Sequence, residues 1–347
     1  MKNSKVDETV LVTGGTGFVG IHCILQLLQQ GYRVKTTIRS LSKMNDVIEM
    51  LKVGGIQDFE KIDFIETDLT IDRNWDKAME NCTYVMHVAS PIFLRIPDHE
   101  DEMIKPAVEG TIRVLKAAKK AGVKRVIMTS NFGAIGYSHK DKTTLITEKE
   151  WTDPAERGLS PYNKSKVLAE RAAWDFIESE GGDLELSVIN PMGIFGPSLS
   201  PVLSSGFGLL QKLIDGSMKA LPNINLGIVD VRDVADLHIR AMEYPEAGGQ
   251  RFLALSGGTM SLIDISRLIK KEMPDFAKKA SLKLVPDWII RISAIFSKQA
   301  KSILPLVGVY RNASNDKAKR MLNWKPRSNE EALLSAVESM IKWGAVK

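Results

Sequence analysis

Tyr162 and Lys166 stand four residues apart in Tyr162-Asn163-Lys164-Ser165-Lys166. On a helix, residues i and i+4 share a face, so a phenol and an ammonium would point into one site. A free phenol titrates near pH ~10 and is a poor acid at neutrality. A cation within about 4–6 Å favours its ionised form, and the pair can then pass a proton to or from a substrate oxygen. A second group of residues suits a phosphate. Thr13-Gly14-Gly15-Thr16-Gly17-Phe18-Val19-Gly20 sets glycines at 14, 17 and 20. That spacing lets the backbone turn sharply, brings a phosphate against N–H groups and aims a helix N-terminus at it. Arg39 and Lys43 form a third group, two cations that could grip a further phosphate.

These residues need elements to hold them. Short β-rich runs lie at Thr9–Val12, Arg33–Ile38, Ile62–Glu66, Tyr84–Ala89, Arg125–Thr129 and Leu186–Asn190. Between them run helical stripes. Ile21, Ile24, Leu25 and Leu28 have i, i+3, i+4, i+7 spacing and end at Gly31; Val108, Ile112, Leu115 and Ala118 end at Gly122. The alternation predicts an α/β fold, a doubly wound parallel sheet of the Rossmann type with helices on both faces. Ile228–Val231 and Arg251–Leu255 read as a return to the sheet, with a helix from Asp233 to Glu243 between them. Residues 1–197 and 226–256 form the expected nucleotide-binding domain. Residues 198–225 and 257–347, mostly helical in pattern, form a smaller discontinuous substrate lobe. The cleft between them should lie at the carboxyl ends of the strands.

Composition narrows the function. The chain has 347 residues, 44% hydrophobic and 26% charged, with a net charge of +5. The charges are interspersed, so no nucleic-acid partner is expected. Cys23 and Cys82 are far apart and lack C-x-x-C spacing, which fits a cytoplasmic protein without disulfides. The apolar run from Val10 is broken by four glycines and makes a poor leader peptide. The charge-free stretch from Leu186 to Gln211 is interrupted by Pro191, Pro197 and Pro201, so no membrane partner is expected. His22, His87, His99, His139 and His238 show no helix-ligand spacing, and no metal is expected; His238 reads as a structural helix residue. No Gly-x-Ser-x-Gly elbow is present.

In dinucleotide folds the end of the second strand meets the adenosine ribose, where an acid would accept a 2′-hydroxyl. This chain has Arg39 there, with Lys43 following, which favours a 2′-phosphate and hence NADP(H). The glycine spacing and the Tyr-x-x-x-Lys pair resemble the extended short-chain dehydrogenase/reductase superfamily. The resemblance extends through His87-Val88-Ala89-Ser90-Pro91, through Asn190-Pro191-Met192-Gly193-Ile194-Phe195-Gly196-Pro197 and through Val229-Asp230-Val231-Arg232-Asp233-Val234-Ala235. Asn315 to Trp324 and Pro326 add the C-terminal match, so that it covers about nine-tenths of the chain. Within the superfamily it is similar to the dihydroflavonol 4-reductase-like group, which also holds aldehyde, methylglyoxal and ketone reductases.

That resemblance implies NADPH-dependent reduction of a small-molecule carbonyl to an alcohol. It makes Tyr162 the proton donor, with Lys166 priming it and holding the nicotinamide ribose. It places Asp68 and Leu69 at the adenine, Ala89, Ser90 and Pro91 beside the cofactor, and Pro191, Gly193 and Ile194 near the nicotinamide. The family shows two consecutive hydroxyl residues after the fifth strand. Here Ser130 is followed by Asn131 in the second position, a departure from that pattern, and either the Ser130 hydroxyl or the Asn131 amide could orient the carbonyl. Phe93, Phe132 and Phe195 follow strand ends and are candidate substrate walls; Trp151 reads as a cover for the catalytic helix. A homodimer fits the relatives. The rival readings are an NAD-dependent sugar-nucleotide epimerase or dehydratase and a non-catalytic NADP sensor.

Overall fold

The computed structural model describes residues 8–91, 99–139, 143–204 and 206–346. A seven-stranded parallel sheet lies at its centre. Its first six strands are β1 (Thr9–Val12), β2 (Arg33–Ile38), β3 (Ile62–Glu66), β4 (Tyr84–His87), β5 (Arg125–Thr129) and β6 (Glu185–Pro191). Three short strands follow outside it, β7 (Gly193–Phe195), β8 (Asn225–Leu226) and β9 (Ile228–Asp230), before β10 (Gln250–Ala254) completes the sheet. The order is β10-β6-β5-β4-β1-β2-β3, and every pairing is parallel. Chain order reverses at β1, between β2 and β4, which is where such sheets open a ligand crevice.

Both faces are covered, as the apolar runs require. Along β1, Val10 and Val12 face α1 (Phe18–Gln29) and α7 (Val231–Glu243), whereas Leu11 joins the opposite core under α4 (Asp101–Lys120) and α5 (Pro161–Glu180). Ile127 and Ile189 repeat the first facing; Val126, Met128 and Val188 repeat the second. Helix α2 (Met44–Val53) packs on the first face and α3 (Trp75–Met79) on the second. Fully burying one Val, Leu or Ile is worth about 1.5–3 kcal/mol, so a one-residue slip of β1 would be strongly disfavoured. Helices α1 and α4 stop just before Gly31 and Gly122, both left-handed at φ +91° and +72°.

A third core gathers α6 (Phe207–Ile214), α8 (Leu262–Glu272) and α12 (Asn329–Lys342), with Ile290 of α9 (Asp287–Phe296). Helix α10 (Lys298–Ile303) follows α9, and α11 (Asp316–Leu322) packs back on the first core with Trp324. The segment Ile228–Val231 does not return to the sheet as its sequence suggests. It forms β9, which pairs in parallel with β7, Gly193 opposite Ile228 and Phe195 opposite Asp230. Asp230 then caps α7 by accepting from Arg232 N–H at 2.8 Å, so β9 is spent leading into that helix. A further short strand, β11 (Met260–Ser261), pairs antiparallel with β8.

Candidate active site

The glycine turn sits at the sheet's reversal point. Gly14 is left-handed at φ +76°, and a Cβ there would stand 3.1 Å from Ala89 Cβ and 3.2 Å from Ala89 Cα. Glycine is therefore required on two counts. Gly20 packs so closely that its Cβ would reach 2.4 Å from the Gly14 carbonyl oxygen. Gly17 precedes α1 without any side-chain cap, and the first turn of α1 carries no acid. The opening N–H groups of Phe18, Val19 and Gly20 are thus left for an anion. The Phe18 ring itself turns edge-on to Phe207 at 5.4 Å and to His22 at 5.7 Å, which ties the loop to the helical region. Thr16 is exposed at the crest.

Across the reversal point, one threonine fastens the turn to β4. Thr13 Oγ1 accepts from Val88 N–H at 3.0 Å and Ala89 N–H at 2.9 Å. With both lone pairs used, its own proton goes to His87 Nδ1 at 3.1 Å. His87 therefore carries its proton on Nε2, and burial pushes its pKa down to about 3, with Lys166 adding to the effect. These bonds also explain why β4 ends at His87 and not at Ala89.

Arg39 lies exposed beyond β2 and forms no ion pair among the described residues. Lys43 is less available, since it pairs with Asp46 at 3.0 Å. Glu66, at the end of β3, anchors this loop by accepting from Leu41 N–H at 3.1 Å and from Arg73 at 2.9 Å. Asp68 Oδ1 is spent on its own turn, accepting from Thr70 Oγ1 and N–H at 2.7 and 2.8 Å. Those two bonds, with Arg39 and Arg113 nearby, hold its carboxyl below the usual range. Leu69, Ala89, Ser90 and Pro91 line one cleft together with Thr129 and Lys166. Of the expected cofactor residues, Leu69, Ala89, Ser90, Pro91 and Lys166 thus meet in one cleft.

Helix α5 brings the phenol and the ammonium. Ser160 caps it by accepting from Asn163 N–H at 3.2 Å, and Pro161 opens it. Tyr162 is 48% exposed, whereas Lys166 is only 6% exposed, with its Nζ 5.9 Å from the Tyr162 ring centre. Lys166 has no hydrogen bond or ion pair among the described residues. Ser130 Oγ and Asn131 Oδ1 at the end of β5 are likewise buried and without partners, while Asn131 Nδ2 donates to Asn163 Oδ1 at 3.4 Å. An orphaned buried polar atom costs about 1–3 kcal/mol, so two side by side mark a place meant for a ligand. Ser130 follows Met128 on the α5 side of the sheet. Thr129 faces α7, where it donates to His238 Nε2 at 2.7 Å while His238 Nδ1 donates to the Val234 carbonyl.

Several residues here escaped the sequence reading. Asn190 donates to the Asn131 carbonyl at 3.2 Å and to Glu170 at 2.7 Å. Glu170 is one helical turn beyond Lys166 and pairs with Arg251 at 2.6 Å. Arg251 in turn lies 3.7 Å over the Trp151 ring and donates to the carbonyls of Glu148 and Glu150. Trp151 is thus a platform for a buried cation and more than a cover. Arg311 stacks on Tyr137 at 4.3 Å with its Nε unpartnered, and burial lowers its pKa. Only pairs of residues far apart in sequence would have revealed these contacts.

The aromatic candidates fall differently. Phe132 is 5% and Phe195 3% exposed, and each is packed into a core. Phe93 lies outside the described residues. Pro191 is buried at the end of β6, Gly193 is exposed and Ile194 packs on the first core. A cavity of about 550 Å³ opens elsewhere, between α1 and α7, but its arginines are committed, Arg232 to Asp230 and Arg327 to Asp233.

A glycine cradle, an uncapped helix and an unpaired ammonium at one sheet reversal define a family when the whole sequence agrees. The model of the 3-beta hydroxysteroid dehydrogenase/isomerase family matches residues 11–252. The chain belongs to that family. Its relatives are extended short-chain reductases. It is 33% identical to a cinnamoyl-CoA reductase of Medicago truncatula over 258 residues, 73% of this chain and 78% of the relative. It is also 33% identical to an anthocyanidin reductase of Vitis vinifera over 311 residues, 82% and 89% of the two chains. Among family structures, yeast methylglyoxal/isovaleraldehyde reductase Gre2 complexed with NADPH superposes with a TM-score of 0.79 at 25% identity, covering 97% and 99% of the two chains.

Proposed function

We propose that this protein is an NADPH-dependent reductase that converts the carbonyl of an aldehyde or ketone to an alcohol. The observation that carries the reading is Lys166, a largely buried lysine whose ammonium has no hydrogen bond or ion pair among the described residues. It lies one turn from Tyr162 and lines a cleft with Leu69 and with Ala89, Ser90 and Pro91. The residues present fit the cofactor: the N–H groups opening α1 have no side-chain cap and no acid beside them, and Arg39, with no ion pair among the described residues, would meet the 2′-phosphate. When bound there, NADPH supplies the hydride.

The chain's own groups do the rest. The N–H groups opening α1 hold the pyrophosphate, and Arg39 holds the 2′-phosphate. Leu69 and Ala89 to Pro91 wall the cleft. Lys166 binds the ribose hydroxyls and sets its charge beside the Tyr162 phenol, which hands its proton to the developing alkoxide. Ser130 or Asn131 donates a hydrogen bond to the same oxygen. The helical region around 198–225 and 257–346 contributes the substrate side. The same reading carries a cytoplasmic homodimer; both cysteines are free and buried. Among the described residues no helix is long and apolar enough to cross a membrane.

The test is a panel of aldehydes, ketones and diketones with NADPH and with NADH, followed by loss of the reduced nicotinamide. Consumption with NADPH, lost in Tyr162→Phe while NADPH still binds, is the expected result. A tightly held NAD without net consumption would instead point to an epimerase or dehydratase, and reduction that survives Tyr162→Phe would end the proposed mechanism. Comparing Ser130→Ala with Asn131→Ala identifies the third group.

A further inference from the structure

Helix α9 has its amphipathic faces reversed. A helix on a protein surface ordinarily turns its apolar stripe to the core. Trp288, Ile292, Ile295 and Phe296 follow i, i+4, i+7, i+8 spacing and share one face. That face meets solvent, with the four side chains 62%, 52%, 74% and 86% exposed. Only Ile290 is buried on the inward side. Exposed Leu282 and Leu284 precede the helix. Contiguous apolar surface of this kind marks an interaction site.

Its surroundings are basic. Residues 278–301 contain Lys278, Lys279, Lys283, Arg291, Lys298 and Lys301 against a single acid, Asp287. Asp287 is half-buried and accepts from Asn223 Nδ2 at 3.5 Å. Lys283, Arg291 and Lys301 are exposed and have no ion pair among the described residues. We propose that α9 seats the protein on an anionic membrane surface. Trp288, Ile292, Ile295 and Phe296 enter the boundary between headgroups and acyl chains, and the flanking cations meet lipid phosphates. At ten residues α9 is too short to span, so it lies in the interface plane. A second copy fits this face poorly, because a twofold contact would bring together two surfaces that each carry Lys283, Arg291 and Lys301 and supply few acids to meet them. This proposal is independent of the carbonyl chemistry.

The experiment is co-sedimentation of the NADPH-loaded protein with vesicles of phosphatidylcholine alone or with about one-third phosphatidylserine. The expected result is binding to the mixed vesicles and little to the neutral ones, with loss of binding in high salt. The double substitution Ile295→Asp with Phe296→Asp should lower the bound fraction at least ~tenfold, and Arg291→Glu with Lys301→Glu should do so for the anionic vesicles. Melting midpoints of both variants should stay near wild type, which separates lost docking from lost folding. No binding of the wild type to mixed vesicles overturns the proposal. So does a wild-type dimer that becomes monomeric in the Ile295/Phe296 variant, since the face would then belong to a second copy.

Discussion

Lys166 and Arg251 are cationic residues of low exposure, 6% and 8%, the first on helix α5 and the second paired with Glu170 one turn further along it, and they are treated in opposite ways. Arg251 donates to Glu170 at 2.6 Å and to two carbonyls, and lies on Trp151; only its second guanidinium nitrogen lacks a partner. Lys166 has no partner among the described residues. Removing an ion from water costs several kcal/mol, and good pairing recovers much of it. A lysine whose stem is buried while its ammonium meets no counter-ion gains nothing for the fold by pairing and keeps its charge available for a ligand. The paired cation belongs to the scaffold; the unpaired one belongs to the site. Arg125 supports the distinction: 1% exposed, it is bound by Glu185 and by carbonyls around Ala241 to Pro245, far from any cleft residue.

The sharpest way to break this contrast is to replace each cation by methionine. Lys166→Met should reduce turnover by roughly 10²–10⁴-fold while leaving stability in urea unfolding at or above the wild-type value. A destabilised variant with near wild-type turnover would remove the site reading. Arg251→Met should act in reverse. It strands Glu170, so stability should fall by about 3–5 kcal/mol with NADPH affinity little changed. Adding Glu170→Met should restore most of that loss, and an additive double variant would show that the two residues do not act as a pair.

On the cofactor side the contrast is between Arg39 and Lys43. Arg39 is free, whereas Lys43 already has Asp46. Arg39→Ala should weaken NADPH binding by about 1.5–3 kcal/mol, roughly tenfold to a hundredfold, and leave NADH binding unaltered. Lys43→Ala should cost no more than a few-fold by the same titration. Equal losses would place both cations on the phosphate.

The same comparison explains what the sequence could reveal. The Gly14–Gly20 turn and the Tyr162–Lys166 pair are local demands, one on backbone angles and one on helical spacing, so residue order alone exposes them. Thr13 and His87 are 74 residues apart, and Glu170 and Arg251 are 81 apart. Nothing in either neighbourhood names the other. β9 shows another limit: Ile228 to Asp230 has a strand's composition, but composition does not say which sheet a strand joins. Phe132 and Phe195 were placed near the cleft by their positions after strand ends, yet large rings at such positions also fill cores, as these do. The exposed stripe of α9 follows ordinary helical periodicity, and only the fold shows that it faces outward.

The smallest expected effect tests where the two halves are alike. Thr13 holds His87 at the end of β4, and Thr129 at the end of β5 holds His238 of α7. Burial pushes these histidines down to about 3 and about 4, and His22 to about 4, so all three are neutral in the fold. Unfolded histidine titrates near pH ~6.5. Between that value and about pH 4 the unfolded chain binds protons that the folded chain refuses. The sign follows: stability is greatest above the unfolded value and falls as pH drops through this window. Urea midpoints should therefore decline steadily from about pH 7 to about pH 5, before most carboxylates titrate. His238→Gln, which keeps a polar partner for Thr129 without a titrating ring, should make that decline shallower. A decline of the same slope in the variant would mean that His238 already exchanges protons with solvent, and the likeness between the two Thr–His pairs would fail.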